Sequence, residues 1–590
     1  MRPDPCSWEN PLQNHLCNNS LRPTTKPAAS AAGGFEAASF NQTPPFENID
    51  LFAMDLALRE ALSRAGVNQE TAGLSAFGTD FGSAETIRLG RLANENPPRL
   101  RIVDATGTRN DFVEFHPAYH ALMQKSMAAG LHCPASAPDE PAGSQVSERA
   151  ARLYMATQIE AGHLCPTTMT SASVATLAAS PDVYSVWLPH LVSRDYDGAM
   201  KPWFEKRAVT LGMGMTERQG GTDVRAIISE ARACDGHYEI SGHKWFLSAP
   251  MSDAFVVLAQ AKAGLTAFLM PRFRPDGSVN ALRFQRLKDK LGNRSNASAE
   301  VEFHAAHAER LGTEGEGVRT ILAMVQWTRL DCAVASAGQM RFGMAQAVHH
   351  ARHRSVFGRL LADQPAMRAV LADLALECEA NTALVFRLTR AFDLAQGNES
   401  EAAYARLMTP AVKYLVTKLA PSFIYETLEC LGGNGYVEDL PMARLYREAP
   451  LNAIWEGSGT VVALDVLRVL RRDREWAETM IGDLAQACGA PGKAAAIAIK
   501  QSLADQDCES HARSIAEKLA QLAALAALHE ANGSLAEAYA ATRLQGAPHA
   551  TFGACDLQAL QKPASLPCLA GLAQLAGACA AAAASVRRLR

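Results

Sequence analysis

Two changes in hydrophobic period divide this chain and limit the folds that it can adopt. Before about residue 209 and after about residue 313, apolar residues recur at helical spacing, as in the run that opens with Val318, Ile321 and Leu322. Between these points lie short apolar runs, such as Phe255 to Ala259, separated by Gly, Pro and Asp. Such runs are typical of β-strands. The pattern predicts an α+β protein with a β-domain between two helical regions.

The same pattern predicts where each segment and each long C-terminal helix lies. The long helices are expected at about 318–353, 364–395, 401–429 and 459–472. The segments are a mobile extension at 1–39, an N-terminal helical domain at 40–208, a middle β-domain at 209–312, a C-terminal four-helix bundle at 313–472 and an alanine-rich helical extension at 473–590.

Composition argues against some partners and against a metal. Lys plus Arg number 57 and Asp plus Glu number 61, so no overall charge drives binding to nucleic acid or to an acidic membrane. The 13 cysteines form no CxxC pair and no zinc-like cluster, so no metal site is predicted, and reduced thiols indicate a cytoplasmic protein. The longest uncharged run, Pro563 to Val586, is interrupted by Gln574 and is predicted to be a packed helix rather than a membrane span.

A glycine-rich segment opens the β-domain and has the features of a ligand-binding turn. It reads Met213-Gly214-Met215-Thr216-Glu217-Arg218-Gln219-Gly220-Gly221-Thr222-Asp223. Glycine lets the backbone approach a flat ligand, and hydroxyl and N–H groups hydrogen-bond its polar edge. By itself the segment also fits a purely structural turn. It is neither a Walker A loop nor a GxGxxG element.

Further motifs follow in a definite order. They are Gly242-His243-Lys244-Trp245-Phe246-Leu247-Ser248, then Arg354-Ser355-Val356-Phe357-Gly358 with Gln364 beyond it, then Leu431-Gly432-Gly433-Asn434-Gly435-Tyr436, then Ile454-Trp455-Glu456-Gly457-Ser458-Gly459-Thr460. Together with the first motif, this order resembles the acyl-CoA dehydrogenase superfamily over about residues 45–470. The run Lys288-Asp289-Lys290-Leu291-Gly292-Asn293-Arg294-Ser295-Asn296-Ala297-Ser298 and the long helical extension resemble its alkylation-response branch, the AidB-like flavoproteins.

The resemblance implies the acyl-CoA dehydrogenase fold, with FAD between the β-domain and the bundle. It also implies a homotetramer, a dimer of dimers, in which Arg354 and the Gly432-Gly433 turn contact FAD partly across a subunit boundary. Arg354 is equally a candidate for a solvated arginine, and the glycine turn for an ordinary helix end. The residues assigned to FAD are Met213, Met215, Thr216, Gly221, Thr222, Phe246, Leu247, Ser248, Arg354, Phe357, Gln364, Gly432, Gly433, Ile454, Trp455, Gly457, Ser458 and Thr460.

The chain departs from the family pattern at several of these positions. Leu247 stands where the family has a threonine whose hydroxyl lies near flavin N5, and Ser248, one position later, is a candidate substitute. Glu429 stands where a glutamine usually precedes the glycine turn, and a carboxylate there would repel pyrophosphate. These departures are compatible with flavin binding but put efficient acyl-CoA turnover in question.

Glu456 occupies the place of the catalytic base. Dehydrogenation of an acyl thioester removes an α-proton while a hydride leaves for the flavin. A carboxylate in a dry cleft is a better base because burial raises its pKa, and the Glu456 N–H can bind the thioester carbonyl. The alternative is that Glu456 only caps the helix that begins near Gly459.

Four arginines, Arg468, Arg471, Arg472 and Arg474, lie close together at a helix end. They fit either a solvated C-terminus favoured by the helix dipole or a contact to phosphate backbone. The AidB-like branch is associated with DNA binding through its C-terminal part, so Arg468, Arg471 and Arg472 are candidate contacts to double-stranded DNA. The nearly balanced charge of the sequence from 471 to 590 argues against a contact to phosphate backbone, and its few aromatic residues argue against a single-strand binder.

Three functions follow from these observations. The first is an FAD-containing protein of the adaptive response to DNA alkylation that binds duplex DNA and has weak or unknown dehydrogenase activity. The second is a metabolic acyl-CoA dehydrogenase that desaturates a short or branched acyl-CoA with Glu456 as base. The third is a scaffold without flavin, against which Thr216, Ser248 and the glycine turns argue. The arginine cluster and the extension favour the first.

Overall fold

The structure, a computed structural model, describes residues 41–70, 72–133, 143–546 and 550–555. The predictions for residues 1–39 and for the run Pro563 to Val586 lie outside the described residues. The order of elements is helical, then β, then helical, which confirms the α+β class. Among the described helices, none combines the length and the apolar character needed to cross a bilayer.

The N-terminal region contains a β-hairpin that the helical period did not predict. Asp104 organises its turn by accepting hydrogen bonds from the N–H groups of Thr106 and Thr108, at 2.8 and 3.0 Å. The elements of this region are α1 Leu56–Arg64, α2 Leu74–Phe81, α3 Ala84–Glu95, β1 Arg99–Val103, β2 Arg109–Glu114, α4 Pro117–Ala128, α5 Gln145–Ile159, α6 Leu164–Leu177 and α7 Pro181–Leu191.

The middle region is a sheet that closes on itself. Its strands are β3 Leu211–Gly214, β4 Glu230–Cys234, β5 His237–Ser248, β6 Ala254–Ala261, β7 Gly264–Pro271, β8 Leu282–Leu287 and β9 Ser298–Leu311. The pairings run β5–β4–β6–β7–β9 and return from β9 to β5, while β3 lies along β6 and β8 along β9. Phe255 and Val257 point into the barrel, and Val256 and Leu258 pack on α6 and α7. Burial on both faces explains the continuous apolar run in β6.

The C-terminal region begins with long helices that pack on one another. They are α8 Gly317–His353, α9 Pro365–Leu394, α10 Glu399–Cys430 and α13 Gly459–Arg472, joined in part by β10 Ser355–Val356, β11 Arg359–Leu360, α11 Gly433–Tyr436 and α12 Pro441–Glu448. Their bounds agree with those predicted from the period to within a few residues. Asp55 ties α1 to this bundle, because it caps α1 through the Leu58 N–H and pairs with buried Arg341 at 2.7 Å.

The extension continues with α14 Arg474–Ala487, α15 Gly489–Ala504, α16 Ala512–Ala531 and α17 Gly533–Tyr539. The alanine-rich α16 packs on α9, α10 and α13, since small side chains permit close approach. Arg543 fixes the end of this region to α9: its guanidinium pairs with Asp373 and, at 2.8 Å, with Glu377. The extension is therefore packed into the same core as the bundle.

Candidate active site

Glu456 lies in a turn with unusual backbone geometry. Its φ is +57° and that of Gly457 is +100°, so a non-glycine residue adopts the left-handed region. Buried cations hold the carbonyl oxygens of this turn. Arg329 Nε donates to the Glu456 carbonyl at 2.9 Å, and Lys413 Nζ donates to the carbonyls of Trp455 and Gly457 at 2.9 and 2.6 Å. The turn is thus fixed by side chains from α8 and α10.

The Glu456 carboxyl has a single side-chain partner among the described residues. The Thr328 hydroxyl on α8 donates to Oε2 at 2.7 Å. Burial raises the pKa of Glu456, against the opposing effects of the Thr328 hydrogen bond and of Arg329 and Lys413. A carboxyl with a raised pKa is suited to accept a proton. Because this hydrogen bond goes to α8 and not to the start of α13, the geometry argues against a role only as a helix cap.

An apolar cluster lies between this turn, the barrel and the helices. Its members are Cys165, Met169 and Ala172 of α6, Ala249 after β5, and Met324 of α8, with Met213, Met251, Trp327 and Trp455 packed against it. Met213 belongs to the first motif and Trp455 to the last one. The fold therefore brings these two motifs to one apolar surface, although they are far apart in sequence.

The first motif is anchored to β5 by a buried ion pair. Glu217 accepts from Lys244 Nζ at 2.7 Å, and both side chains are completely buried. Glu217 also accepts from the Ser229 hydroxyl and from the Ile228 N–H. Burial opposes ionisation of Glu217, but these hydrogen bonds outweigh it and lower its pKa to about 2. The glutamate of this motif is therefore a structural residue that holds the turn in place.

The glycines of the motif leave room beside Thr216. A Cβ on Gly221 would come within 2.3 Å of Thr216 Oγ1. The Thr216 carbonyl accepts from the Trp245 N–H at 2.8 Å, which joins the first motif to the second. A side chain at position 221 would displace Thr216, so glycine is required for packing within the turn.

A β-bulge in β5 corrects one assignment. Lys244 pairs with Val301 and Leu247 with Ala299, so three steps along β5 match two along β9. Leu247 consequently points into the barrel core with no exposed surface, and the expectation that its side chain contacts FAD is wrong. Ser248 is the residue opposite Met213 across β3 and β5, and cross-strand partners share a face. The hydroxyl of Ser248 therefore faces the apolar cluster.

The barrel side of the site fits a flat cofactor with a polar edge. In the described part of the chain, the hydroxyls of Thr216, Thr222 and Ser248 have no hydrogen-bond partner and are at least partly exposed. Phe246 is 46% exposed beside Trp245, and Lys288 Nζ lies 3.5 Å from the centre of the Trp245 ring. Unpartnered hydroxyls next to an aromatic surface can bind an isoalloxazine ring system, so these residues fit FAD.

The Arg354 motif forms a hairpin between α8 and α9. Ser355 and Val356 pair with Leu360 and Arg359, and Gln364 donates to the Val356 carbonyl at 3.0 Å. Phe357 lies at the tip with φ of +51° and is 100% exposed. Gln364 stabilises the hairpin, and the exposed side chains, which include the aromatic ring of Phe357, lie at the surface of the chain.

The glycine turn after α10 is a helix end whose glycines, Gly432 and Gly433, are exposed. Gly432, with φ of +60°, follows the end of α10 and its N–H donates to the Glu429 carbonyl, as expected where a helix ends. A Cβ on Gly432 or Gly433 would meet no atom, so internal packing does not explain these glycines. Glu429 and Tyr436 are exposed beside them. Among the remaining assigned residues, Met215, Ile454, Ser458 and Thr460 are also partly or fully exposed, on loops or at the start of α13.

The arginine cluster is largely paired. Arg468 forms an ion pair with Asp465, and Arg474 forms one with Glu478 at 2.7 Å. The Arg471 guanidinium donates to the Cys508 sulfur. Arg472 is exposed in the last turn of α13. Neighbouring carboxylates therefore reduce the positive potential that these arginines would otherwise present.

Sequence reasoning missed the residues that hold Glu456 in place. Thr328, Arg329 and Lys413 lie inside the long helices α8 and α10. The apolar period predicts these helices but does not single out the three residues. Arg329 also donates to Asp465 at 2.7 Å. Charged side chains are rarely buried in helices without partners. A Thr-Arg pair and a lysine at buried helical positions could therefore have indicated that these residues hold another part of the chain.

Comparisons with known proteins agree with this arrangement. The model of the adaptive response protein AidB N-terminal domain matches residues 41–198, that of the acyl-CoA dehydrogenase middle domain residues 212–306, and that of the acyl-CoA dehydrogenase C-terminal domain residues 315–470. The chain is 49% identical over 435 residues to the putative acyl-CoA dehydrogenase AidB of Escherichia coli, covering 73% of this chain and 80% of that protein. It is 30% identical to acyl-CoA dehydrogenase family member 11 of Caenorhabditis elegans, covering 77% of each.

A solved structure agrees with these relatives. The C. elegans protein ACDH-11, crystallised in complex with C11-CoA, superposes with a TM-score of 0.78 at 27% identity, covering 90% of this chain and 96% of that one. Acyl-CoA dehydrogenases depend on FAD, which confirms the predicted cofactor. The barrel, the bundle and the site between them thus place this chain in the acyl-CoA dehydrogenase family, in its AidB-like branch.

Proposed function

We propose that this protein is an FAD-dependent oxidoreductase of the acyl-CoA dehydrogenase type in which Glu456 removes the α-proton of an acyl thioester. The observation that supports it is the Glu456 carboxyl itself, which is held by Thr328 in a turn beside the apolar cluster and has a pKa raised by burial. FAD, when bound, accepts the electron pair that leaves the substrate.

Other residues of the chain position the thioester carbonyl, exclude water and orient the Glu456 carboxyl. Arg329 and Lys413 hold the turn so that the Glu456 N–H can donate to the thioester carbonyl as enolate-like charge develops. The apolar side chains of Met213, Met324 and Trp455 exclude water from the proton-transfer step. Thr328 keeps the carboxyl in one orientation. The C11-CoA bound by the C. elegans relative supports an acyl-CoA as the class of substrate.

Anaerobic titration with acyl-CoA thioesters of different chain length and branching tests this function. Loss of oxidised-flavin absorbance with a stoichiometric amount of one thioester is the expected result, and the Glu456→Gln variant is expected to lose it while retaining FAD. No bleaching by any thioester, in a protein whose flavin is fully bound and photoreducible, would reject dehydrogenation and leave the DNA-associated function as the leading one.

We further propose that the working form is a homotetramer, a dimer of dimers. Phe357, completely exposed, and Tyr436, 83% exposed, are large side chains that a monomer would leave in water. Contact of the Arg354 hairpin with FAD of a neighbouring subunit would cover them. Light scattering coupled to size-exclusion chromatography is expected to give a tetramer, and Phe357→Ala is expected to lower both the tetramer fraction and FAD retention. A monomer that retains FAD would contradict this assembly.

The second candidate is participation in the adaptive response to DNA alkylation, through duplex DNA bound at Arg468, Arg471 and Arg472. It is supported by the AidB-like N-terminal domain and by the exposure of Arg468 and Arg472 at the end of α13. We expect a salt-dependent shift of duplex DNA that Arg468→Ala with Arg472→Ala weakens. Arg88→Ala with Arg91→Ala removes the same charge from α3 and serves as control. Absence of a shift at low salt would exclude this function.

A further inference from the structure

The turn between β4 and β5 places three potential metal ligands on one face. Cys234 and His237 are directly paired across the strands, on either side of the two-residue turn Asp235-Gly236. Glu239 follows His237 by two positions, so it points to the same side of the strand. Cross-strand partners also share a face. The sequence therefore projects a thiol, an imidazole and a carboxylate in one direction, although their spacing is not that of a zinc finger.

These groups are close enough to bind one ion. The Cys234 sulfur, a ring nitrogen of His237 and a carboxylate oxygen of Glu239 all lie within 4.8 Å of one another. Ligands of a tetrahedral zinc ion, at about 2.0–2.3 Å from the metal, are separated by about 3.3–3.8 Å. Rotation of side chains by a small amount brings the three to that separation. All three residues are half-buried, so an ion can reach them from solvent.

Hydrogen bonds already orient the imidazole and the carboxylate. His237 Nδ1 lies 3.1 Å from the Asp235 carbonyl oxygen. A carbonyl only accepts, so this contact places the proton on Nδ1 and the lone pair on Nε2, which is the usual arrangement of a metal-bound histidine. Arg232 donates to Glu239 Oε2 at 2.5 Å, which fixes the orientation of the carboxylate. Oriented ligands lose less freedom when an ion binds.

A second histidine supports the site from β9. The ring of His307 stacks on that of His237, with centroids 4.6 Å apart and an interplanar angle of 27°. His307 Nε2 is buried and has no hydrogen-bond partner among the described residues. A buried nitrogen without a partner costs free energy, which a bound ion or its water would recover. His307 Nε2 is therefore a group to which a water bound to the ion could donate a hydrogen bond.

We propose that Cys234, His237 and Glu239 form a binding site for a divalent transition metal, with Zn²⁺ as the ion that this sulfur, nitrogen and oxygen set fits best. The site lies at one end of β5, whereas Ser248 and the candidate flavin site lie at the other. Eleven residue steps at about 3.3 Å each separate them by about 36 Å of strand. The ion would fasten the β4–β5 turn, and it would take no part in redox chemistry.

Competition between the protein and a chromophoric zinc chelator tests the site. The FAD-loaded full chain, freed of metal, is titrated with Zn²⁺, and we expect one ion per chain. Cys234→Ser and His237→Gln should each weaken binding at least about tenfold. His304→Gln is the matched control, because His304 lies on β9 of the same barrel beside Glu302 without a thiol. Flavin absorbance and helical circular dichroism should be unchanged in every variant.

Cobalt binding tests the sulfur ligand by absorption spectroscopy. Co²⁺ added to the same protein should produce a thiolate-to-metal charge-transfer band in the difference spectrum, and Cys234→Ser should abolish it. No zinc bound at micromolar concentrations, or zinc binding that Cys234→Ser and His237→Gln leave unaltered, would overturn the proposal. Because the readouts are zinc affinity and the cobalt spectrum, the outcome is independent of whether an acyl-CoA is turned over.

Discussion

Replacement of Thr328 by valine tests the proposed mechanism, because the Thr328 hydroxyl donates to the proposed base, Glu456. The substitution removes the hydroxyl that donates to Glu456 at 2.7 Å and keeps the shape of the side chain. A hydrogen bond to a charged group contributes about 1.5–3 kcal/mol, and we take the lower value because the carboxyl retains some exposure. That value corresponds to slightly more than a tenfold change, by about 1.4 kcal/mol per factor of ten, in the protonation equilibrium.

The sign of the effect follows from the charge that the hydroxyl stabilises. The hydrogen bond favours the ionised carboxylate, so its loss raises the pKa of Glu456 further above the ordinary value. The base is active when ionised, and the variant therefore needs a higher pH to reach the same rate. At pH values below the pKa of Glu456 in the parent protein, flavin reduction should be about tenfold slower in the variant than in the parent. At high pH the two rates should converge.

The assay is the pH dependence of single-turnover flavin reduction by whichever acyl-CoA bleaches the flavin fastest. Thr328→Ser retains the hydroxyl and is the matched control, with a profile expected to coincide with that of the parent protein. A Thr328→Val profile that superimposes on the parent profile would show that this hydrogen bond does not control the protonation of Glu456. A uniform decrease at all pH values would instead indicate a positioning effect without a pKa change.

Three further predictions concern the framework of the site. Lys244→Met leaves Glu217 buried without its partner, and we expect a loss of about 3–5 kcal/mol in the free energy of unfolding together with reduced FAD content, measured by denaturant titration and absorbance. Gly221→Ala forces a Cβ against Thr216, so FAD occupancy should fall while circular dichroism is unchanged. Arg543→Ala removes the ion pairs that fasten the extension to α9, and thermal denaturation should show a lower midpoint with retained FAD.

The hydrophobic period predicted the order of the helical and β regions, because helices and strands bury apolar residues at different sequence spacings. The α9 and α10 helices, for example, were predicted at about 364–395 and 401–429 and lie at Pro365–Leu394 and Glu399–Cys430. The β1–β2 hairpin was missed because β1 is mostly exposed and β2 buries one aspartate, Asp111, and one apolar residue, Val113, so the two strands bury little apolar surface. Its position depends on contacts to the barrel, such as the hydrogen bond from Arg109 to the Phe284 carbonyl.

The site was predictable only where its residues are neighbours in sequence. The motif around Glu456 singled out the proposed base, but its partner Thr328 lies 128 positions away, and Arg329 almost as far. The β-bulge before Leu247 decides which residue of the second motif faces the apolar cluster, because a single extra residue exchanges the two faces of a strand. Pairing register is set by the partner strand β9 and is invisible in β5 alone.

The left-handed conformation of Glu456 explains why buried cations are needed to hold the turn, and the positions of those cations explain why the pKa of Glu456 stays raised. A non-glycine residue with positive φ is strained and persists only where its surroundings hold it. Arg329 and Lys413 supply that restraint, yet their donors contact carbonyl oxygens and not the carboxylate. The charge of Arg329 is further balanced by Asp465 at 2.7 Å. Two buried cations therefore build the turn without forming an ion pair with Glu456, and burial still raises its pKa.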